Sequence, residues 1–207
     1  ADMRWIETTK SSDAGNLGRS GWSAFEEDDS SPYFLPPGFP IEQGPPGVDE
    51  SELLLSGACD ALITAITPIA FLEGNPAIRR LFPDVRATEQ GYFRKTGLFP
   101  IMHVVGIRKD VADENPGLAM AVYNMYSAAK AFAYADLETT TSLKVSLPWA
   151  TQEFEDTREL MGDDYWRYGI AANQKELEIV MRYTHEQGLV ERQADFRDLF
   201  HPSVLNT

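Results

Sequence analysis

A ten-residue run, Phe99 to Arg108 (FPIMHVVGIR), restricts the fold of this chain more than any other segment. Its apolar residues fall on both alternating faces, the pattern of a central strand covered on both sides. One ionisable side chain, His103, stands in the middle. An imidazole buried there costs free energy unless it is hydrogen-bonded or the strand opens onto a cleft. Two readings are therefore open: a satisfied core histidine, and a histidine facing a site.

Length and charge narrow the classes. With 207 residues the chain suits one large domain or two small lobes and can bury a sizeable core. A net charge of −14 argues against nucleic acid and against anionic membrane surfaces as partners. The excess is uneven, since residues 1–50 hold ten Asp/Glu against three Lys/Arg. A lone cysteine, Cys59, excludes an internal disulfide and a cysteine-cluster metal site. No apolar run reaches membrane-spanning length. The chain opens on Ala1 with strand-like character at Met3–Glu7, which reads as a piece of a longer protein.

From Ser11 to Gly47 six prolines and the run Glu26-Glu27-Asp28-Asp29 read as an irregular loop whose aromatics pack in part on the body. Beyond it, Asp49 or Ser51 caps a short helix through Leu55 that stops at Gly57. Asp60–Ala65 reads as a short buried strand, Pro68 as a turn, and Arg79–Asp84 and Glu89–Gly97 as the approach to the His103 strand. Past Arg108 the pattern is helical. One helix starts at Asp113–Pro116 and runs to about Tyr134, a second lies between Trp149 and Gly162, a third spans about Ala171 to Gly188, and a short fourth follows Asp195. Strands first and helices after give an α/β class.

The sequence carries no glycine-rich phosphate loop and no G-x-S-x-G elbow. His103, His185 and His201 are not at ligand spacing, so a metal is a minority reading; His185 and His201 need no function. Cys59 reads as a small buried thiol. What remains is a cationic and aromatic group: Arg79, Arg80, Glu89, Tyr92, Arg94 and His103. Adjacent arginines in so acidic a chain suit a carboxylate, which a guanidinium grips by both oxygens, although ion pairs to Asp84 or Glu89 explain them nearly as well.

Six motifs follow in order: GACDALI (57–63), NPAIRRLFPD (75–84), Glu89-x-x-Tyr92, TGLFPIMH (96–103), Leu147-Pro148-Trp149 and MGDDYWRYG (161–169). Together they resemble the 4,5-dihydroxyphthalate decarboxylase family, from about Leu53 to Phe200 and weakly over Asp2–Glu7. The resemblance implies an α/β fold of the type II periplasmic-binding-protein kind, with two lobes and a cleft between them. Residues 1–107 would then form the second α/β lobe, with the 11–47 loop and a return strand at 99–108. Residues 108–207 would form a helical part packing on the first lobe, and a preceding half-lobe would be absent.

The function this implies is decarboxylation of a hydroxylated aromatic carboxylic acid without a cofactor or metal. His103 and Glu89 are the candidate proton donors, and Arg79, Arg80, Tyr92 and Trp149 the candidate substrate-binding residues. The expected partner is a small aromatic carboxylate, with neither nucleic acid nor membrane; a homo-oligomer is left open. The expected compartment is the cytoplasm. The alternative is a solute-binding protein for a small carboxylate or aromatic ligand, which would place the chain in the periplasm.

Overall fold

The computed structural model describes residues 4–8, 41–64, 67–142 and 144–207. Most of the proline-rich stretch, with its acidic run, lies outside the described residues, as does Ala65. The chain divides into two compact units, Ala1–Val85 and Arg86–Thr207.

In the first unit β1 (Trp5–Glu7) pairs in parallel with β2 (Ile41–Gln43), with Trp5 opposite Ile41 and Ile6 opposite Glu42. The opening strand was legible, but its partner lies inside the stretch read as loop, because three residues bounded by prolines carry too little pattern. α1 (Glu50–Leu55) starts on a capping box: the Asp49 side chain accepts from the Glu52 N–H at 2.9 Å, and the Glu52 carboxylate accepts from the Asp49 N–H at 3.1 Å. Gly57, at φ 74°, ends the turn as expected. Leu53 packs towards α2 (Ile69–Leu72), where Ala70 is buried and its N–H donates to Ser51 Oγ.

The strand expected at Asp60–Ala65 is not formed over its described residues. Ile63 is 84% exposed, and no second strand lies beside the segment among the described residues. A short apolar run becomes a strand only when a sheet covers it.

The second unit is helical. Val85–Thr96 forms α3 where the sequence reading had only an approach to a strand. Arg, Ala, Glu, Gln and Lys are good helix formers. The helix closes on Gly97 at φ 65°, where the Gly97 N–H donates to Phe93 O and Lys175 Nζ donates to Thr96 O at 2.5 Å. α4 (Lys109–Glu114) precedes α5 (Leu118–Glu138), whose first residue lies two beyond Pro116. α6 (Ala150–Met161) and α7 (Gln174–Glu186) fall where expected, with Gly162 and Gly188 at positive φ beyond them. The short element after Asp195 is a 3-10 turn, Phe196–Leu199, capped by the Asp195 side chain. α5 packs on α6, and α7 on the Phe196–Leu199 turn, burying Ala119, Phe154, Leu177 and Phe196.

Two devices tie the C-terminal half together. Glu176, on the first turn of α7, is buried and accepts from the Arg167 guanidinium at 2.8 Å. Thr207 sits against the start of α7: its backbone oxygen accepts from the Ala171 N–H at 2.6 Å, and its hydroxyl accepts from the Ile170 N–H at 3.3 Å.

Phe99–Arg108 departs from the expected covered strand. It runs between α3 and α4 with no strand beside it among the described residues. Met102, Val104 and Val105 are 60%, 69% and 57% exposed. The described protein is therefore mostly helical, and the α/β expectation is met only by the two-stranded parallel sheet. No helix among the described residues is long and apolar enough to cross a membrane.

Candidate functional site

The six candidate residues are divided between the units. Arg79 and Arg80 belong to the first, in irregular chain after the Asn75 turn, and both are exposed. Asn75 builds that turn by accepting the Ala77 N–H on its side chain. Arg80 lies over the Phe71 ring, its Cζ 5.2 Å from the centroid, so its guanidinium is held by a cation–π contact.

Glu89, Tyr92, His103 and Trp149 belong to the second unit. Glu89 and Tyr92, three residues apart on α3, share one face with Val85 and Thr96. A different face carries Arg86, Gln90 and Arg94 along an open groove of about 350 Å³ against Asp156, Glu159 and Leu160 of α6. There Arg86 Nη2 bonds Asp156 at 2.7 Å and Arg86 Nε bonds Glu153 at 3.2 Å, and these bonds hold the guanidinium above its ordinary pKa. Arg86 and Arg94 are thus bonded within the α3–α6 region rather than turned to the Glu89–Tyr92 face, Arg94 through Gln90.

His103 is exposed in the middle of the Phe99–Arg108 segment. Trp149 is 73% exposed at the cap of α6, where its carbonyl accepts from the Glu153 N–H. Among the described residues of the second unit no hydrogen bond or ion pair joins any two of Glu89, Tyr92, His103 and Trp149. His185 and His201 serve locally, as expected: His185 Nδ1 lies 3.3 Å from Val190 O, and His201 Nδ1 accepts from the Ser203 N–H.

The sequence reading missed what fixes the base of the His103 segment. Lys130 of α5 bonds Asp164 at 2.5 Å and Trp166 O at 3.1 Å, and lies 4.7 Å from the centroid of Tyr168. Tyr134, one turn on, stacks on Tyr165 with centroids 4.7 Å apart and accepts the Trp166 N–H at 3.0 Å. Arg158 of α6 pairs with Asp163 and with Glu138. The MGDDYWRYG motif is thereby clamped between two helices. It presents the Trp166 edge to Phe99, with centroids 5.4 Å apart, at the first residue of the His103 run. The signal was there in the motif's density of aromatic and acidic residues, but its partners Lys130 and Tyr134 lie on a helix some thirty residues earlier.

Burial pushes the Tyr134 phenol up to about 12, opposed by the hydrogen bond from Trp166. The unfolded phenol ionises near 10. The folded state therefore keeps its proton while the unfolded state loses it, and the stability this confers is full below pH 10 and lost as pH rises towards 12. Absorbance titration of the phenolates should show Tyr134 ionising later than exposed tyrosines, and Tyr134→Phe should flatten the alkaline fall in stability. Equal slopes for the two proteins would remove Tyr134 from that fall.

In chemical terms, the first unit offers guanidiniums for an anion, and the second offers an imidazole, a carboxyl and a phenol for proton transfer and hydrogen bonding. No family model matches the chain. Over 173 residues the chain is 34% identical to the 4,5-dihydroxyphthalate decarboxylase of Comamonas testosteroni, covering 84% of this chain and 52% of that enzyme. The resemblance carried by the six motifs is therefore a similarity along most of the sequence, although the chain spans only about half the length of the curated relative it matches.

Proposed function

We propose that this chain carries the proton-donating part of a cofactor-independent decarboxylase acting on a hydroxylated aromatic carboxylic acid such as 4,5-dihydroxyphthalate. The single observation that supports this is the 34% identity with a decarboxylase of that name over 84% of the chain. The complete protein would be a two-lobed molecule of the periplasmic-binding-protein kind working in the cytoplasm.

The reaction needs a proton on the ring carbon that bears the departing carboxylate. Its C–C bond then breaks, CO2 leaves, and the electron pair returns to the ring. The phenol oxygen para to that carbon helps the ring carry charge meanwhile. Arg79 or Arg80 would grip a substrate carboxylate and Tyr92 a ring hydroxyl, with the Trp149 face against the ring. His103 or Glu89 would donate the proton.

Incubation with 4,5-dihydroxyphthalate tests this reading by the state of the recovered ligand. Recovery as 3,4-dihydroxybenzoate supports the lyase; recovery unchanged after tight binding supports the solute-binding alternative. Arg80→Ala should raise the dissociation constant about 10-fold or more, the loss of a charge-assisted hydrogen bond. Unchanged affinity in that variant would end the anchoring role of Arg80.

A further inference from the structure

The chain leaves α3 for the His103 segment at a joint restrained from three sides. Lys175 of α7 donates to Thr96 O, the Leu98 N–H donates to Thr96 Oγ1 at 3.1 Å, and the Trp166 indole meets the Phe99 ring edge-on. Trp166 is itself held by both of its backbone polar groups. Its N–H donates to Tyr134 Oη at 3.0 Å, and its carbonyl accepts from Lys130 Nζ at 3.1 Å. Lys130 and Tyr134 lie four residues apart on α5, so successive turns of one helix grip one residue. Behind them Tyr165 stacks on Tyr134 and packs edge-to-face with the buried Phe154 ring.

The indole at the end of this chain of contacts is 42% exposed, so it adds less to the core than a buried ring would. What it touches matters more. The joint separates the two elements that carry the candidate donors: Glu89 with Tyr92 on α3, and His103 four residues beyond Phe99. Four extended residues span about 13 Å. A turn of about 15° at Phe99 would therefore carry the imidazole by roughly 3 Å, whereas a misplacement of about 1 Å already costs a reaction on the order of 100-fold. A donor on such an arm needs its base fixed.

We infer that Trp166 is a positioning residue for His103: by seating Phe99 it sets the direction in which the His103 segment leaves α3, and Lys130 and Tyr134 keep it in place. The inference rests on the reading of His103 as the proton donor and adds to it the residue that places the donor. Trp166 itself touches no reacting atom in this account.

The test has two arms, and the first reads no activity. In Trp166→Leu the backbone N–H order parameters at Phe99, Ile101 and His103 should fall towards the flexible range, below about 0.6, while those of α5 and α6 stay as in the wild type. Phe99→Leu, which removes the partner ring and leaves Lys130, Tyr134 and Trp166 in place, should give the same fall, and Trp166→Phe, which keeps an aromatic edge, should reverse most of it. Unchanged order parameters in both leucine variants would overturn the inference. In the second arm Trp166→Leu should lower kcat for CO2 release from 4,5-dihydroxyphthalate by about 10- to 100-fold with KM held within about twofold. In a His103→Ala background the same substitution should cost nothing further, because a residue that acts through His103 then has nothing left to place. An equal loss in both backgrounds, or a loss carried by KM alone, would overturn the inference. A wild type that releases no CO2 would refute the lyase reading, and the order parameters alone would then decide whether Trp166 places the segment.

Discussion

Replacing His103 with alanine should lower CO2 release from 4,5-dihydroxyphthalate by ~10²–10⁴-fold, the contribution of a positioned general acid. The loss should fall on turnover more than on substrate affinity, because the proposed reading assigns carboxylate binding to the arginines. The fold should survive, since the His103 side chain is exposed and unbonded among the described residues. Equal helical circular dichroism in variant and wild type checks that. Glu89→Gln separates the two candidate donors: if His103 is the acid, the glutamine variant keeps turnover within about tenfold. A His103→Ala protein with wild-type turnover would pass the role to Glu89.

Gly169→Ala should be the most destabilising small substitution in the second unit. Gly169 adopts φ 98°, and a Cβ there would lie 2.6 Å from the Thr207 carbonyl carbon. Positive φ alone costs a non-glycine residue about 1–2 kcal/mol. Displacing a packed backbone adds an overpacking cost of roughly 1–3 kcal/mol. Together they come to about 3 kcal/mol, a fall in Tm on the order of 10 °C. Gly188→Ala is the control, at φ 74° with nothing within 4 Å of the added carbon, and should show only the conformational part. If the two variants melt together, the seating of Thr207 against Gly169 and Ala171 contributes nothing.

The parts of this protein legible in its sequence were those whose cause is local. Asp49 and Glu52 spell a capping box within four residues, and Gly57, Gly162 and Gly188 stop their helices where a positive φ is needed. The amphipathic stripe that buries Leu177 also shows as period alone. Strands were less legible, because a strand depends on its neighbours. Asp60–Thr64 and Phe99–Arg108 have strand composition but no sheet beside them among the described residues. The helix at Val85–Thr96 is hard to see in the sequence because Glu89, Tyr92 and Arg94 stand out as separate chemical groups rather than as successive turns.

The candidate site shows the same division. The order of its motifs pointed to a decarboxylase, and the similarity to the Comamonas testosteroni enzyme agrees over most of the chain. The Lys130, Tyr134 and Tyr165 clamp depends on long-range packing, and no spacing announces it.

The measurement that bears most directly on the account is CO2 evolved from 4,5-dihydroxyphthalate by the chain co-expressed with the half of its relative that it does not span. The account predicts release above the uncatalysed rate, matched mole for mole by 3,4-dihydroxybenzoate and reduced to near background by His103→Ala. An intact complex that binds the diacid and returns it unchanged would contradict it.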